Sequence, residues 1–285
     1  MMRVVPLENG EKLSLTNDGK LELFFIGVGS GLADEHFHTN VLIIKGDTHV
    51  MVDFGEGASH ALKETSGLTK FDIATVLPTH SHDDHVGGIG TLAVANRYVS
   101  TRFMKKPKLK MIIGEEFQRE LWTHTLQGSL EHNEMDPNGA KLQFSDYFEV
   151  IRPKWMQWTP RETWEVDYEG VHLEMFRTIH IPEQSSRLEA HYISYGLFID
   201  GHVLYTGDTK FDPELMMIYS ARSEAMFHDV QFFDKGVHAS LLELRTLSPD
   251  IKRRIHLVHY ADNYIEQDVT EFAGWTQQGV RYIFE

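Results

Sequence analysis

The chain has 285 residues, with 27 Lys and Arg against 42 Asp and Glu for a net charge of −15, and it carries 17 His and no Cys. Without thiols there is no disulfide framework, iron–sulfur cluster, cysteine nucleophile or thiolate metal site. The acidic balance argues against broad affinity for nucleic-acid backbone or anionic membrane.

In chain order, the opening segment MMRVVPLENGEKLSL lacks an apolar core of signal-peptide length. No run approaches the about 18 apolar residues that span a bilayer, so a soluble, cytoplasmic protein with no membrane partner is expected. Strands are predicted over residues 21–28, 38–45 and 48–54, the last two separated by Gly46-Asp47, a hairpin signal. Residues 59–65 read as a short helix, and 73–77 as a compact buried strand stopped by Pro78. Residues 100–165 are expected to form an insertion or subdomain. This stretch holds a basic patch with Lys105, Lys106, Lys108 and Lys110, a strand at 110–113, a helix at 115–126 and a polar segment at 127–140. The aromatic residues over 117–168, Phe117, Trp122, Trp155, Trp158, Trp164 and Tyr168, fit either a subdomain core or a surface that caps the site of a homodimer partner. Strand character returns at 171–179, 192–199, 203–205, 225–228 and 254–258, with helices at 213–220, 241–244 and 265–277. Two β-rich halves flanked by helices point to a four-layer α/β arrangement, one domain over residues 1–285.

The strongest chemical signal directly follows the 73–77 strand: Thr79-His80-Ser81-His82-Asp83-Asp84-His85, then Val86-Gly87-Gly88. Imidazole and carboxylate suit zinc, manganese or iron(II). In extended backbone His80 and His82 share one side and can chelate one ion. A turn into a helix then lets Asp84 and His85 face a neighbouring position, so one loop can serve two metals.

This segment resembles the H-x-H-x-D-H signature of the metallo-β-lactamase superfamily, and further landmarks follow in the family's order: Val52-Asp53-Phe54-Gly55, Thr178-Ile179-His180, Tyr205-Thr206-Gly207-Asp208-Thr209 and Val258-His259-Tyr260. The resemblance spans residues 20–262 and implies an αββα sandwich with two divalent ions per chain, zinc first, with manganese or iron as alternatives. By position, His80, His82 and His180 would hold one ion, and Asp84, His85 and His259 the other, with Asp208 between them. His172, His191 and His256 compete for the less specific positions. Asp53 reads as a support that hydrogen-bonds a ligand histidine.

Within the superfamily, the absence of Cys excludes branches with a cysteine ligand, and His82 disfavours the redox branch that has Glu there. His180-Ile181-Pro182-Glu183 departs from the glyoxalase pattern. Phe227-His228-Asp229-Val230-Gln231-Phe232 is similar to the His–Glu motif of the RNase Z-like phosphodiesterases, with Asp229 in place of the usual acid. That likeness implies His228 as the acid for the leaving group, beside Asp84 and Asp208 as catalytic carboxylates. His36 and His38 fall in a loop that borders the site in this branch.

The branch includes tRNA 3′-end endonucleases and cyclic-nucleotide phosphodiesterases, among them phage proteins that destroy cyclic-nucleotide immune signals. No basic, Gly/Pro-rich arm for gripping RNA is evident, and a chain of net charge −15 is repelled by polyanionic RNA. The reading is therefore a dinuclear metal-dependent phosphodiesterase acting on a small phosphodiester, a 3′,5′-cyclic nucleotide before others. The alternatives are an RNA 3′-processing endonuclease, a lactone or ester hydrolase, and a non-enzymatic metal-bound sensor.

Overall fold

The computed structural model describes residues 2–8, 10–157, 160–184 and 192–285. The strands, in chain order, are β1 (Met2–Pro6), β2 (Glu22–Gly27), β3 (Asn40–Lys45), β4 (Thr48–Val52), β5 (Thr75–Leu77), β6 (Leu109–Ile112), β7 (Phe148–Ile151), β8 (Lys154–Gln157), β9 (Thr163–Tyr168), β10 (Val171–Arg177), β11 (Tyr195–Ile199), β12 (Val203–Tyr205), β13 (Ala225–Asp229), β14 (Ile255–Val258), β15 (Gly274–Trp275) and β16 (Val280–Phe284). They form two sheets of eight, ordered β1-β16-β2-β3-β4-β5-β6-β7 and β15-β14-β13-β12-β11-β10-β9-β8. Both sheets are mixed. β4 through β7 run parallel in the first, and β12 through β15 in the second.

The sheets pack face to face. Phe25 of β2 reaches across to Phe227 of β13, with ring centroids 4.9 Å apart, and to Tyr205 of β12 at 6.4 Å. β2, β3 and β4 are almost wholly buried because each has apolar side chains on both faces, one toward the other sheet and one toward covering helices. The outer layers include α1 (Ala58–Ser66) on β2 and, on the far side, α7 (Pro213–Tyr219), whose Tyr219 stacks on Phe176 of β10 and packs on Phe198 of β11. Asp212 caps α7 by accepting from the Leu215 amide at 3.1 Å, and Pro213 sits where its missing N–H costs nothing. The helices between α1 and α7 are α2 (Asp83–Val86), α3 (Ile89–Ala95), α4 (Glu115–Leu121), α5 (Gln127–Leu130) and α6 (Phe144–Tyr147), and α8 (Leu241–Leu244) and α9 (Pro249–Lys252) follow α7. The result is the αββα sandwich expected from the sequence.

Residues 100–165 supply β6 and β7 to one edge of the first sheet and β8 and the start of β9 to one edge of the second. Phe117 and Tyr168 are buried in the shared core, and Trp122 and Trp164 pack against it, while Trp155 on β8 is 41% exposed. Trp158 lies outside the described residues.

The helix expected at 265–277 does not form. A 3₁₀ turn over Asp262–Glu266 gives way to turns and then to β15. Two local causes are visible. The Asp268 carboxylate captures the Thr270 amide and hydroxyl at 3.0 and 2.8 Å, offering the backbone an alternative to helical bonds. Downstream, the Ala273 and Thr276 amides donate to Ile255 and Leu257, so β14 recruits the segment as a strand. No helix among the described residues is long and apolar enough to cross a membrane.

Candidate metal centre

The C-terminal ends of β4, β5, β10, β12, β13 and β14 open onto the same end of the sandwich. β4 runs directly into Asp53, whose side chain is fully buried. Asp53 Oδ1 accepts from the Thr79 amide at 2.7 Å, and Oδ2 accepts from the Thr79 hydroxyl at 2.8 Å and from His85 Nδ1 at 2.7 Å. Burial pushes this carboxyl up in pKa, opposed by His85 and Thr79. Because His85 Nδ1 is held by Asp53, Nε2 of His85 is turned toward the site. The support role read for Asp53 thus has a partner in the first helix turn after the histidine loop.

His80 leaves β5 in a buried loop, while His82 stands at the N-cap position of α2, with no capping bond from its side chain, and is part-exposed to the cavity. α2 then turns Asp84 and His85 toward a second position. His180 follows β10, and its Nδ1 donates to the Val237 carbonyl at 2.9 Å, which leaves Nε2 directed inward. Asp208 follows β12, and His259 follows β14. Their ligand atoms gather in groups whose members all lie within 4.8 Å of one another: His80, His82, His180 and Asp208 in one, and Asp84, His85 and His259 in another. The structure brings all seven expected ligand residues together.

Distances show how tightly. His80 Nε2 lies 3.0 Å from His82 Nδ1, and His180 Nε2 lies 3.2 Å from the same atom. Asp208 Oδ2 is 3.7 Å from both His80 Nε2 and His180 Nε2, 3.4 Å from His85 Nε2 and 3.5 Å from His259 Nε2. Asp84 Oδ2 stands 3.2 Å from His259 Nε2 and 3.3 Å from His85 Nε2. His85 Nε2 and Asp208 Oδ2 are both buried without a hydrogen-bond partner, an expensive arrangement unless a cation lies between them. Converging imidazole lone pairs carry the same demand. The donor set, five imidazoles and two carboxylates, fits two borderline divalent cations, and no thiolate narrows the choice among zinc, manganese and iron.

The site is a strongly anionic pocket: burial lowers the His85 pKa, but Asp208, Asp84 and Asp53 outweigh it and hold the imidazole well above its ordinary value. Burial alone would raise the Asp208 carboxyl, but His259 and His85 outweigh it and hold it well below the usual carboxylate range. Asp84 is depressed in the same way by His85 and His259 against burial. Burial drives His180 down to about 4 and His80 well below its ordinary value, so both imidazoles are neutral at physiological pH, the form that can bind a metal.

His228 does not occupy the role expected of it. It is fully buried in β13, its Nδ1 is engaged with the Asp229 backbone carbonyl at 2.8 Å, and it does not line the cavity above the cluster. Strand alternation is the reason: Phe227 faces the first sheet, so His228 points to the opposite side. Asp229, one residue on, returns to the site, and there it meets a histidine that the sequence reading missed. His238 Nδ1 lies 2.9 Å from Asp229 Oδ2 and 3.9 Å from Asp208 Oδ2, and its ring packs 4.7 Å from His259 and 5.0 Å from His180. Burial lowers the His238 pKa, but the bond to Asp229 and the charge of Asp208 outweigh it and raise the group above its ordinary value. A local signal existed: His238 precedes Ser240-x-x-Glu243, a capping box that starts α8.

The other histidines singled out in the sequence are not among the gathered groups of the described residues. His256 stacks on Phe227 and meets Tyr282 edge to face, and His172 pairs with Asp167 at 2.8 Å across β9 and β10. His191 lies outside the described residues. His36 packs against Tyr260 and Tyr264, and neither it nor His38 lines the cavity, although Ser30, Gly31 and Leu32 of the same loop do. In the basic patch, Lys106 and Lys108 donate to backbone carbonyls of Phe71 and Ser145, and Lys110 pairs with Glu169.

The cavity above the cluster has a volume of about 620 Å³. Its floor is His82, Asp84, Asp208, His238 and His259, and its lips carry Leu32, Phe232 and Phe233.

Comparison with known proteins places these features in a family. The family model for anti-Pycsar protein Apyc1 matches residues 21–282. A protein of that name from Paenibacillus sp. (strain J14) is 34% identical over 259 residues, covering 90% of this chain and 94% of its own length. Among solved structures, the metallo-β-lactamase fold protein YhfI from Bacillus subtilis superposes with a TM-score of 0.64 at 18% identity, covering 93% of this chain and all of that one. The short form of human tRNase Z superposes with a TM-score of 0.60 at 17% identity, covering 85% of this chain and 93% of its own. These last two similarities establish the metallo-β-lactamase fold.

Proposed function

This chain belongs to the anti-Pycsar protein Apyc1 family, and from that premise we propose that it is a dinuclear metal-dependent phosphodiesterase whose substrate is a small phosphodiester, a 3′,5′-cyclic nucleotide before others. One observation carries the reading: two ligand groups meet at Asp208 Oδ2 beneath a cavity whose floor also holds a carboxylate-backed histidine, His238. Residues His80, His82 and His180 would hold one ion, and Asp84, His85 and His259 the other, with Asp208 between. Such a pair of ions, when bound, supplies Lewis acidity that lowers the pKa of water and neutralises phosphoryl charge.

The protein's own residues supply the rest. Asp53 and the Val237 carbonyl fix the ring orientation of His85 and His180, so their Nε2 atoms face the site before any ion arrives. Asp229 holds His238 by Nδ1 and leaves its other ring nitrogen for the substrate. Protonated, His238 is positioned to give a proton to the departing oxygen. Positioned acids of this kind contribute about 10²–10⁴ in rate. The apolar lips offer a nonpolar seat for the part of the substrate away from phosphorus.

Charge and shape favour a small substrate over RNA. The chain carries −15, and Lys106, Lys108 and Lys110 of its basic patch are each bound to a carbonyl or carboxylate of the chain itself. A homodimer in the cytoplasm belongs to the same proposal. Leu32 and Phe233, 95% and 66% exposed at the mouth of the cavity, are side chains that a second copy would cover. Sedimentation of the purified protein reads that part directly.

The deciding experiment is hydrolysis of a panel of 3′,5′-cyclic mononucleotides beside a precursor tRNA and a simple lactone, with zinc or manganese supplied. Turnover of the cyclic nucleotides alone supports the proposal. Cleavage of the tRNA alone replaces it with an RNA-processing nuclease, turnover of the lactone alone with a carbonyl hydrolase, and no turnover with a metal-bound sensor.

A further inference from the structure

We infer that Gln231 is a positioning residue: its side-chain amide templates the loop that carries His238 and the His180-orienting carbonyl, so one buried polar side chain sets two parts of the site at once. This inference rests on the phosphodiesterase reading for its catalytic consequence, although the loop geometry stands independently of it.

The loop runs from the end of β13 to the start of α8, Val230-Gln231-Phe232-Phe233-Asp234-Lys235-Gly236-Val237-His238-Ala239-Ser240. Its neck is closed by backbone bonds, Gln231 N–H to the Ala239 carbonyl and Leu241 N–H to the Gln231 carbonyl, each 2.9 Å. Inside that neck the side chain of Gln231, 6% exposed, turns back into the loop it begins. Its Nε2 donates to the Phe233 carbonyl at 2.9 Å and to the Lys235 carbonyl, and its Oε1 accepts from the His238 amide at 3.3 Å. A primary amide has two N–H donors and a carbonyl acceptor, and all three are used here. A carboxylate of the same shape has no donor for the two carbonyls, and a thioether or alkyl chain satisfies none of the three groups.

Gly236 completes the fit. Its φ is +113°, and a Cβ built on it would stand 2.8 Å from Gln231 Oε1, so the backbone passes against the amide where only glycine has room. What the loop presents depends on this packing. His238 follows Gly236 by two residues and has its amide on Gln231. Val237, between them, accepts the Nδ1 proton of His180 and thereby aims Nε2 of that ligand into the site. Phe233, whose carbonyl takes an amide proton, lies on the lip of the cavity. The Gln231 side chain reaches Phe233, Lys235 and His238 by directional hydrogen bonds, which a change of one atom can break.

The test compares wild type with Gln231→Met, which keeps side-chain length and removes the three bonds, and with Gly236→Ala, which perturbs the same contact from the other side. Amide hydrogen exchange is read on metal-free protein, zinc affinity by competition with a chromogenic chelator, and kcat and KM on a cyclic mononucleotide. We expect exchange at 233–238 to accelerate at least about tenfold in both variants, with the sheet amides unchanged. Zinc affinity should fall about 10–100-fold, the scale of lost support to a ligand histidine. The value of kcat should drop by about 10–100-fold, as misplacement by an ångström does, with KM within about threefold. Wild-type exchange in Gln231→Met overturns the templating role. Faster exchange with unchanged zinc affinity and kcat overturns its coupling to the site. If wild type hydrolyses no phosphodiester at all, the proposed function fails, while exchange and zinc affinity still decide the positioning role.

Discussion

Replacing His238 by Gln separates the proposed acid from every other role open to that residue. An amide keeps a donor for Asp229 Oδ2, which also accepts from the Thr209 amide at 3.0 Å, so the buried carboxylate is not left bare. A modest stability cost is therefore expected, about 1–2 kcal/mol. What is lost is an ionisable group whose pKa lies above its ordinary value, and hence the proton for the leaving alkoxide. The expected loss is about 10²–10⁴ in kcat on a cyclic mononucleotide, or about 3–5.5 kcal/mol in the barrier. On bis(p-nitrophenyl) phosphate, whose leaving group departs without a proton, the loss should be tenfold or less. Both substrates and the metal content are measured on one preparation. Equal losses on the two substrates would refute the acid and leave His238 as a group that positions substrate. Loss of an ion would show that His238 is a ligand, as membership of a third convergent group with Asp208 and His259 permits. Wild-type turnover on both would remove His238 from the mechanism. His228→Ala serves as the contrast: it should reduce stability, because His228 is fully buried, without discriminating between leaving groups.

Elemental analysis of protein purified without chelator should give two transition-metal ions per chain, and a value of one that added metal does not raise would sink the dinuclear proposal. Asp208→Ala should abolish turnover and weaken retention of both ions while circular dichroism stays native; near wild-type turnover would mean that the bridging carboxylate is misassigned. Acid should destabilise the metal-free protein through His49 and His256, which burial, the leading cause for both, lowers from 6.5 to about 4. Their folded-state pKa is depressed, so the native state binds fewer protons than the unfolded one: the contribution is complete above pH 6.5 and lost as pH falls toward 4, at most about 3 kcal/mol for each. His49→Gln, which keeps an acceptor for the Ala74 amide, should flatten the urea-midpoint difference between pH 7 and pH 5, and an unchanged difference would refute the assignment.

The candidate ligand residues that the fold gathers could be read from the chain because their chemistry is local. Five imidazole and carboxylate groups in six positions after a strand have few structural explanations, and Asp208 and His259 each close an apolar strand. His238 was hidden because its partner, Asp229, is brought to it only when the 231–240 loop closes, and no periodicity records that closure. His228 differs for the converse reason: strand alternation turns its side chain away from the cavity and brings Asp229 to His238. The same limit applies to the termini. β1 and β16 pair with each other over Met2–Phe284 through Pro6–Val280, a contact whose sequence separation leaves no short-range pattern. The 265–277 segment was misread where the pairing of Gly274–Trp275 with β14 overrode a composition compatible with helix.

The backbone around the site shows why its side chains need so much support. Asp53 and His259 both have left-handed φ, +62° and +60°, one at the end of a strand in each sheet. Non-glycine residues in that region carry strain of order 1–3 kcal/mol each, retained where the surrounding structure over-determines the conformation. For Asp53 the compensation is visible in three accepted hydrogen bonds, two from Thr79 and one from His85. The carboxylate therefore fastens the strained turn after β4 to the histidine loop after β5. Gly55 lets these two segments meet, since a Cβ there would lie 1.7 Å from the Asp84 carbonyl oxygen. The first sheet thus delivers His80, His82, Asp84 and His85 as one braced unit. His180, Asp208 and His259 arrive from three strand ends of the second sheet. Because these two sets come from opposite sheets, the packing of those sheets, through Phe25 against Tyr205 and Phe227, is what brings Asp208 up to the candidate ligands of the first sheet.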